Sequence, residues 1–140
     1  MFNQDYIMRQ VQQMTQVLSK ILVHLLKLKK SESAIEIVSF TNEKFKETLD
    51  FDIEEFSSLL DEKGVPHFKK EKKISSENLN IFADILYELA EQCFEDPDTH
   101  DQSLKFYAQS LQIYEFIEKD EKIYSIDRNV KITKIKNILE

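Results

Sequence analysis

Apolar residues in the first thirty positions recur with the spacing of a helix that packs along one seam. Seven of them alternate at intervals of four and three, with no Gly or Pro between them: Ile7, Val11, Met14, Leu18, Ile21, Leu25 and Leu28. This heptad pattern predicts one long helix over residues 2–30. Further apolar positions widen the stripe, so one flank is expected to pack on the chain's own body and the other on a partner.

Two capping signals predict the next two helices. Ser33 with Glu36, and Asp52 with Glu55, have the spacing of a capping box, in which a side-chain oxygen accepts from the backbone amide three residues later. The second of these helices is expected to end at Gly64, because glycine adopts a left-handed backbone without steric cost.

A charged segment divides the chain into an N-terminal part, residues 1–63, and a C-terminal half, residues 75–140. Residues 64–74 contain Pro66 and several lysines and show no apolar period, which predicts an exposed basic linker. The C-terminal half shows three helical stretches. They are expected to begin at Ser75 or Ser76, near Thr99 and near Ile126.

The composition supports an all-α fold. The 140 residues include one Gly and two Pro, whereas β-rich domains and phosphate-binding loops need several turn glycines. Hydrophobic residues make up 41% of the chain, which is enough apolar surface for the core of one domain. We predict a single all-α domain of five or six helices over residues 1–140, without a membrane-spanning segment or a secretory leader.

The first two helices predicted in the C-terminal half resemble a tetratricopeptide repeat. One carries Leu89-Ala90-x-x-Cys93, and the other carries Ser103-x-x-x-Tyr107-x-x-Ser110-Leu111. The resemblance implies a helical hairpin with a groove for a peptide or a neighbouring helix.

Two other stretches resemble an uncharacterised family of small bacterial all-helical proteins. They are Asp5-Tyr6-Ile7-Met8-Arg9-Gln10-Val11-x-x-Met14 and Tyr124-Ser125-x-Asp127-Arg128-x-x-Lys131-Ile132. The resemblance implies a bacterial cytoplasmic protein and carries no catalytic residue, substrate or cofactor.

The residue types that perform most enzyme chemistry are scattered. No histidine has a second one at the helical spacing of a metal site, and the three fall in different segments: His24, His67 and His100. Cys93 lies on an apolar stripe, where a thiol is typical of a core. Asp98 or Thr99 is expected to cap a helix rather than to bind a cation. We therefore predict no enzyme activity, no cofactor and no metal site.

Charge and the apolar seam separate the remaining classes of function. A formal net charge of −7 disfavours nucleic-acid binding. The seam favours a non-enzymatic interaction or adaptor protein, with a protein or peptide partner, that is homodimeric through six side chains: Ile7, Val11, Met14, Leu18, Ile21 and Leu25.

Basic residues on the same helix leave one alternative open. Four lysines accompany the apolar stripe, as in a helix that lies on an anionic membrane surface: Lys20, Lys27, Lys29 and Lys30. The regular seam favours a protein partner over lipid. A single cysteine indicates a reducing compartment, the cytoplasm.

Overall fold

The computed structural model describes residues 2–28, 33–49 and 52–140, including all their side chains except those of residues 2–8, 10, 11, 48 and 49. These residues form α-helices and no strands, which confirms the all-α prediction. Seven helices are present among them: α1 (Phe2–Leu28), α2 (Ala34–Leu49), α3 (Ile53–Lys63), α4 (Val65–Lys70), α5 (Ser76–Cys93), α6 (His100–Glu121) and α7 (Ile126–Leu139).

Local capping chemistry starts and ends the helices where the sequence predicts. Side-chain oxygens of Ser33, Asp52 and Ser75 each accept from a backbone amide three residues later, at 3.3, 2.8 and 3.1 Å. Gly64 ends α3 with a φ of 81°, in the left-handed region that favours glycine. Four predicted helix boundaries are therefore confirmed.

The segment predicted to be an exposed basic linker, residues 64–74, is partly helical and carries buried residues. It contains α4, and Val65, Phe68 and Ile74 are only 2%, 3% and 5% exposed. The Phe68 ring packs on Phe56 of α3, with ring centroids 4.7 Å apart. The linker prediction is wrong for these three residues, which contacts with distant residues bury, whereas Lys70, Lys72 and Lys73 are exposed. The additional helix also corrects the predicted count of five or six.

The centre of the fold is α5, which packs on α1, α2 and α6. It forms an antiparallel hairpin with α6, in which small side chains let the two backbones approach closely. Ser103 Oγ donates to the Ala90 carbonyl at 2.9 Å, and Ser110 Oγ donates to the Ala83 carbonyl at 2.8 Å. The hairpin therefore joins its helices by buried hydrogen bonds as well as by apolar contact.

Three phenylalanine rings connect α2 and α3 to α5. Phe82 of α5 stacks on Phe56 of α3, with centroids 4.5 Å apart, and on Phe45 of α2, with centroids 5.7 Å apart. All three side chains are at most 1% exposed. This cluster fixes the N-terminal helices on the hairpin.

Candidate functional site

Half of the predicted homodimer seam on α1 is buried inside the chain. Leu18, Ile21 and Leu25 are 0%, 5% and 1% exposed and belong to the core. These three side chains are not available to a second copy, which corrects their assignment to an interface. Met14 is partly buried against the same core. Ile7 and Val11 lie on α1, but their side chains are outside the described residues.

The opposite end of the chain presents a surface that the heptad pattern does not indicate. Here α7 packs on α6 and reaches α5 through long polar side chains. We call this set of contacts the charged seam. Its members are Arg128, Lys131 and Lys134 of α7 together with Asn80, Asp84 and Glu91 of α5.

Arg128 is the most buried member of the charged seam, at 8% exposure. Its guanidinium donates from Nε to Glu118 at 2.7 Å, from Nη1 to the Asn80 side-chain oxygen at 3.2 Å, and from Nη2 to the Ile123 carbonyl at 2.8 Å. One side chain thus joins α5, α6, α7 and the connection that precedes α7. Such a fork of directed donors is the property that distinguishes arginine from lysine.

Lys131 occupies the middle of the charged seam. Its Nζ lies 3.1 Å from Asp84 and 3.2 Å from Asp127, and the Tyr114 hydroxyl also donates to Asp84. Burial acts to lower the pKa of Lys131, but the charge and hydrogen bond of Asp84 outweigh it, so the pKa is raised. Burial, reinforced by Asp84, raises the pKa of Tyr114 well above its usual value. Both groups therefore keep their protons in the folded protein.

Lys134 closes the charged seam at its far end. Its Nζ lies 2.5 Å from Glu91, and this hydrogen bond is the main reason that the pKa of Lys134 is raised. The same ammonium lies 5.7 Å from the centre of the Tyr87 ring, and that of Lys131 lies 5.4 Å from it. An acidic and aromatic surface of the hairpin thus receives a row of cations from α7.

Large apolar side chains are exposed in the α6–α7 connection and on the outer face of α7. Ile123, Tyr124, Ile126 and Val130 are 63%, 67%, 72% and 62% exposed. We call these four residues the apolar corner. Ile126 and Val130 are one helical turn apart and lie on the same face of α7. Burial of such side chains against a partner would remove apolar surface from water.

An open groove of about 460 Å³ lies beside the apolar corner. Its lining includes Ile81, Ile117 and Ile123, together with Asn80, Glu121 and Arg128. The arginine is already engaged by three acceptors of its own chain. The groove therefore has a mixed lining, in which three isoleucines lie beside polar and charged side chains next to the charged seam.

The three histidines have local partners. His24 stacks on Phe40, His67 packs edge-on against Phe68, and His100 Nδ1 lies 2.7 Å from the Phe94 carbonyl. Within residues 2–28, 33–49 and 52–140, no group of three or more His, Cys, Asp or Glu side chains is placed to hold a metal ion.

The thiol and the acidic loop have structural roles. Cys93 is fully buried, as predicted, and burial raises its pKa, which keeps the thiol protonated. Thr99 occupies the position that precedes α6, but its hydroxyl donates to the Cys93 carbonyl at 2.9 Å instead of capping the helix. The predicted cap is thus correct in position and wrong in its hydrogen bond.

No helix in the part of the chain that the structure describes combines the length and the apolar character needed to cross a membrane.

The sequence pattern does not predict the charged seam, because the residues of α5 and α7 that pair in it are far apart along the chain. Arg128 and Asn80 are 48 residues apart, and Lys131 and Asp84 are 47 residues apart. One signal was present in the sequence. Cations at 128, 131 and 134 recur every third residue, which places them along one side of a helix.

Comparison with known proteins identifies a family. Residues 1–119 match the model of a family described as Family of unknown function (DUF6483). The matched part contains α1 to α5 and most of α6, whereas α7 lies beyond it. No curated protein and no solved structure matches the chain.

Proposed function

Because this chain belongs to DUF6483, a family of unknown function, we propose its role from its own surfaces: it is a non-enzymatic interaction protein that pairs with a second copy of itself. The observation that carries the proposal is the apolar corner. Four large apolar side chains, each more than 60% exposed, lie within eight consecutive residues. Clustered exposed apolar residues are typical of a protein interaction site.

The proposed pairing surface differs from the one that the heptad pattern indicates. Leu18, Ile21 and Leu25 stabilise the chain's own core, so a second copy cannot contact them without unfolding α1 from the hairpin. The exposed apolar side chains of the corner are accessible without any such cost. We therefore place self-association at the α6–α7 end of the molecule.

The hairpin provides support for a partner-binding role beyond self-association. Its α5 surface presents Asp84 and Glu91, and cations of α7 already bind there. A basic peptide or helix has the chemistry that this surface accepts. The tetratricopeptide-like pattern of α5 and α6 supports the same proposal, because repeats of that kind bind a peptide or a neighbouring helix.

Sedimentation velocity on purified full-length protein tests self-association at the apolar corner. We expect the wild-type chain to sediment faster as its concentration rises. Ile126→Asp should weaken the association about tenfold or more, because a charge replaces a central apolar contact. Ile35→Asp is the matched control, since Ile35 is also 61% exposed but lies on α2.

Two outcomes would contradict this proposal. Wild-type protein that sediments as a monomer at every concentration would remove self-association. Equal weakening by both substitutions would show that the corner has no special part in it.

A second candidate function is peripheral membrane binding through α1. One observation favours it: Val23 and Leu26 are 50% and 44% exposed, beside the exposed lysines Lys20 and Lys27. Co-sedimentation with phosphatidylserine vesicles at low and high salt tests this candidate. Binding at low salt that Lys20→Glu abolishes would support it, and no binding at either salt would exclude it.

The proposed compartment is the cytoplasm. The support is chemical, since the single cysteine of the sequence is a buried thiol and the chain contains no pair of cysteines for a disulfide.

A further inference from the structure

The connection between α6 and α7 is a break that its sequence does not require. Residues 122–125 read Lys-Ile-Tyr-Ser and contain neither Gly nor Pro, so every one of them is compatible with a continuous helix. The chain turns because Lys122 adopts a left-handed conformation, with φ 56° and ψ 26°. This conformation is unfavourable for a residue with a Cβ atom, and it is normally taken by Gly or Asn at a helix end.

The contacts that hold α7 on its own hairpin can also be made by the α7 helix of a second copy. Only three side chains of α7 are buried, Arg128, Ile132 and Ile135. The remaining attachment consists largely of ion pairs, such as Lys131 with Asp84 and Lys134 with Glu91. The receiving surface belongs to α5 and α6, which form their hairpin without α7. An α7 from another chain finds the same acceptors there.

We propose that two copies of this protein exchange their α7 helices, with α6 and α7 of each copy joined into one continuous helix. The proposal rests on the self-association proposed above and specifies how the two copies associate. The occupant of the acidic and aromatic surface of one copy is then the basic α7 of the other. Exchange of an identical element between protomers forms a dimer at low cost, because the contacts are the native ones.

Exchange also accounts for the apolar corner. Ile123 and Tyr124 lie in the connection itself, and Ile126 begins α7. In the exchanged dimer these residues lie on the straightened helices, where the two copies meet at the two-fold axis. Side chains that are 63% to 72% exposed in the single chain are then covered by their counterparts.

Two interactions oppose exchange, because both depend on the turn between α6 and α7. Arg128 donates to the Ile123 carbonyl at 2.8 Å, and in a continuous helix that carbonyl accepts from a backbone amide instead. Ser125 caps α7, since its Oγ accepts from the Arg128 amide at 3.2 Å. A continuous helix loses both interactions but relieves the left-handed Lys122 and gains backbone hydrogen bonds through the former turn. Substitutions at Lys122 and at Ser125 are therefore expected to shift the equilibrium between monomer and exchanged dimer in opposite directions.

Light scattering on wild-type protein and on two connection variants tests the proposal. Lys122→Gly favours the turn and disfavours the continuous helix at both connections of a dimer, so it should weaken dimerisation about a hundredfold or more. Ser125→Ala removes the cap at both connections and should strengthen dimerisation about tenfold. Neither residue contributes to the core, so both variants are expected to fold.

A mixing experiment detects exchange itself. A Glu91→Lys chain and a Lys134→Glu chain each have like charges at this ion pair when α7 stays on its own hairpin. In an exchanged heterodimer both pairs are opposite in charge again. With one of the two chains labelled uniformly with nitrogen-15, so that the dimers differ in mass, native mass spectrometry on the mixture should show the heterodimer well above the statistical twofold excess over either homodimer.

The outcomes separate exchange from self-association. A wild-type chain that is monomeric throughout overturns both. A wild-type dimer that ignores Lys122→Gly and Ser125→Ala, and whose charge variants show no preference for mixed pairs, overturns exchange alone. Weakening by Lys122→Gly, strengthening by Ser125→Ala and an excess of heterodimer would together establish it.

Discussion

Arg128 is expected to contribute more to stability than any other polar side chain of α7. It is the residue whose three hydrogen bonds reach three different parts of the fold: α5, α6 and the connection between α6 and α7. Its side chain is 10% exposed and that of its ion-pair partner, Glu118, is 26% exposed. Replacement by Ala removes all three donors at once and leaves their acceptors partly desolvated.

The expected loss follows from these contacts. A hydrogen bond that involves a charged group contributes about 1.5–3 kcal/mol, but water reaches Glu118 and the Asn80 side chain when the guanidinium is gone. We therefore expect Arg128→Ala to lower the free energy of unfolding by about 3 kcal/mol. Arg128→Lys keeps the charge and one donor direction, so it should cost about half as much.

Urea denaturation followed by circular dichroism measures this loss. Lys136→Ala is the control, because its ion pair with Glu115 is about half exposed on both sides and should contribute less than about 0.5 kcal/mol. Amide hydrogen exchange should show loss of protection in α7 before the hairpin. A cost for Arg128→Ala as small as that of the control would refute the view that Arg128 anchors α7.

Three further predictions concern the core, one turn and the response to pH. Leu18→Ala should lower the free energy of unfolding by about 3 kcal/mol in urea denaturation, because Leu18 is fully buried. Val23→Ala, at a half-exposed position of the same helix, is the control and should change it by no more than about 0.5 kcal/mol. Gly64→Ala should cost about 1 kcal/mol in the same assay, since its φ of 81° is unfavourable for alanine although the added Cβ meets no close atom; no measurable cost would contradict this reason. The raised pKa values of Tyr114 and Lys131 mean that the folded chain holds protons which the unfolded chain releases. The contribution of these two groups to stability should therefore be constant below about pH 10 and should be lost as the pH rises further. Urea midpoints measured at neutral pH and near pH 11 check this, and equal midpoints would contradict it.

Local signals in the sequence identified helix ends more reliably than surfaces. Ser33, Asp52, Ser75 and Gly64 act on backbone groups within four residues, so their effect can be inferred without knowledge of the fold. The burial of Phe68 depends on a ring from another helix, and no local pattern predicts it.

The heptad pattern of α1 illustrates a different limit. A stripe of apolar residues at helical spacing shows that one face of the helix is buried, but it does not show whether the cover is a second chain or another part of the same chain. Here α5 and α2 cover Leu18, Ile21 and Leu25. The charged seam shows the complementary limit, since residues about 47 positions apart form its pairs.

Self-association is tested most directly by the solution mass of the full-length protein, measured by light scattering over about a hundredfold range of concentration. The proposed pairing predicts a mass that rises with concentration toward twice the chain mass of 16.6 kDa. A mass that stays at 16.6 kDa across the whole range would contradict it.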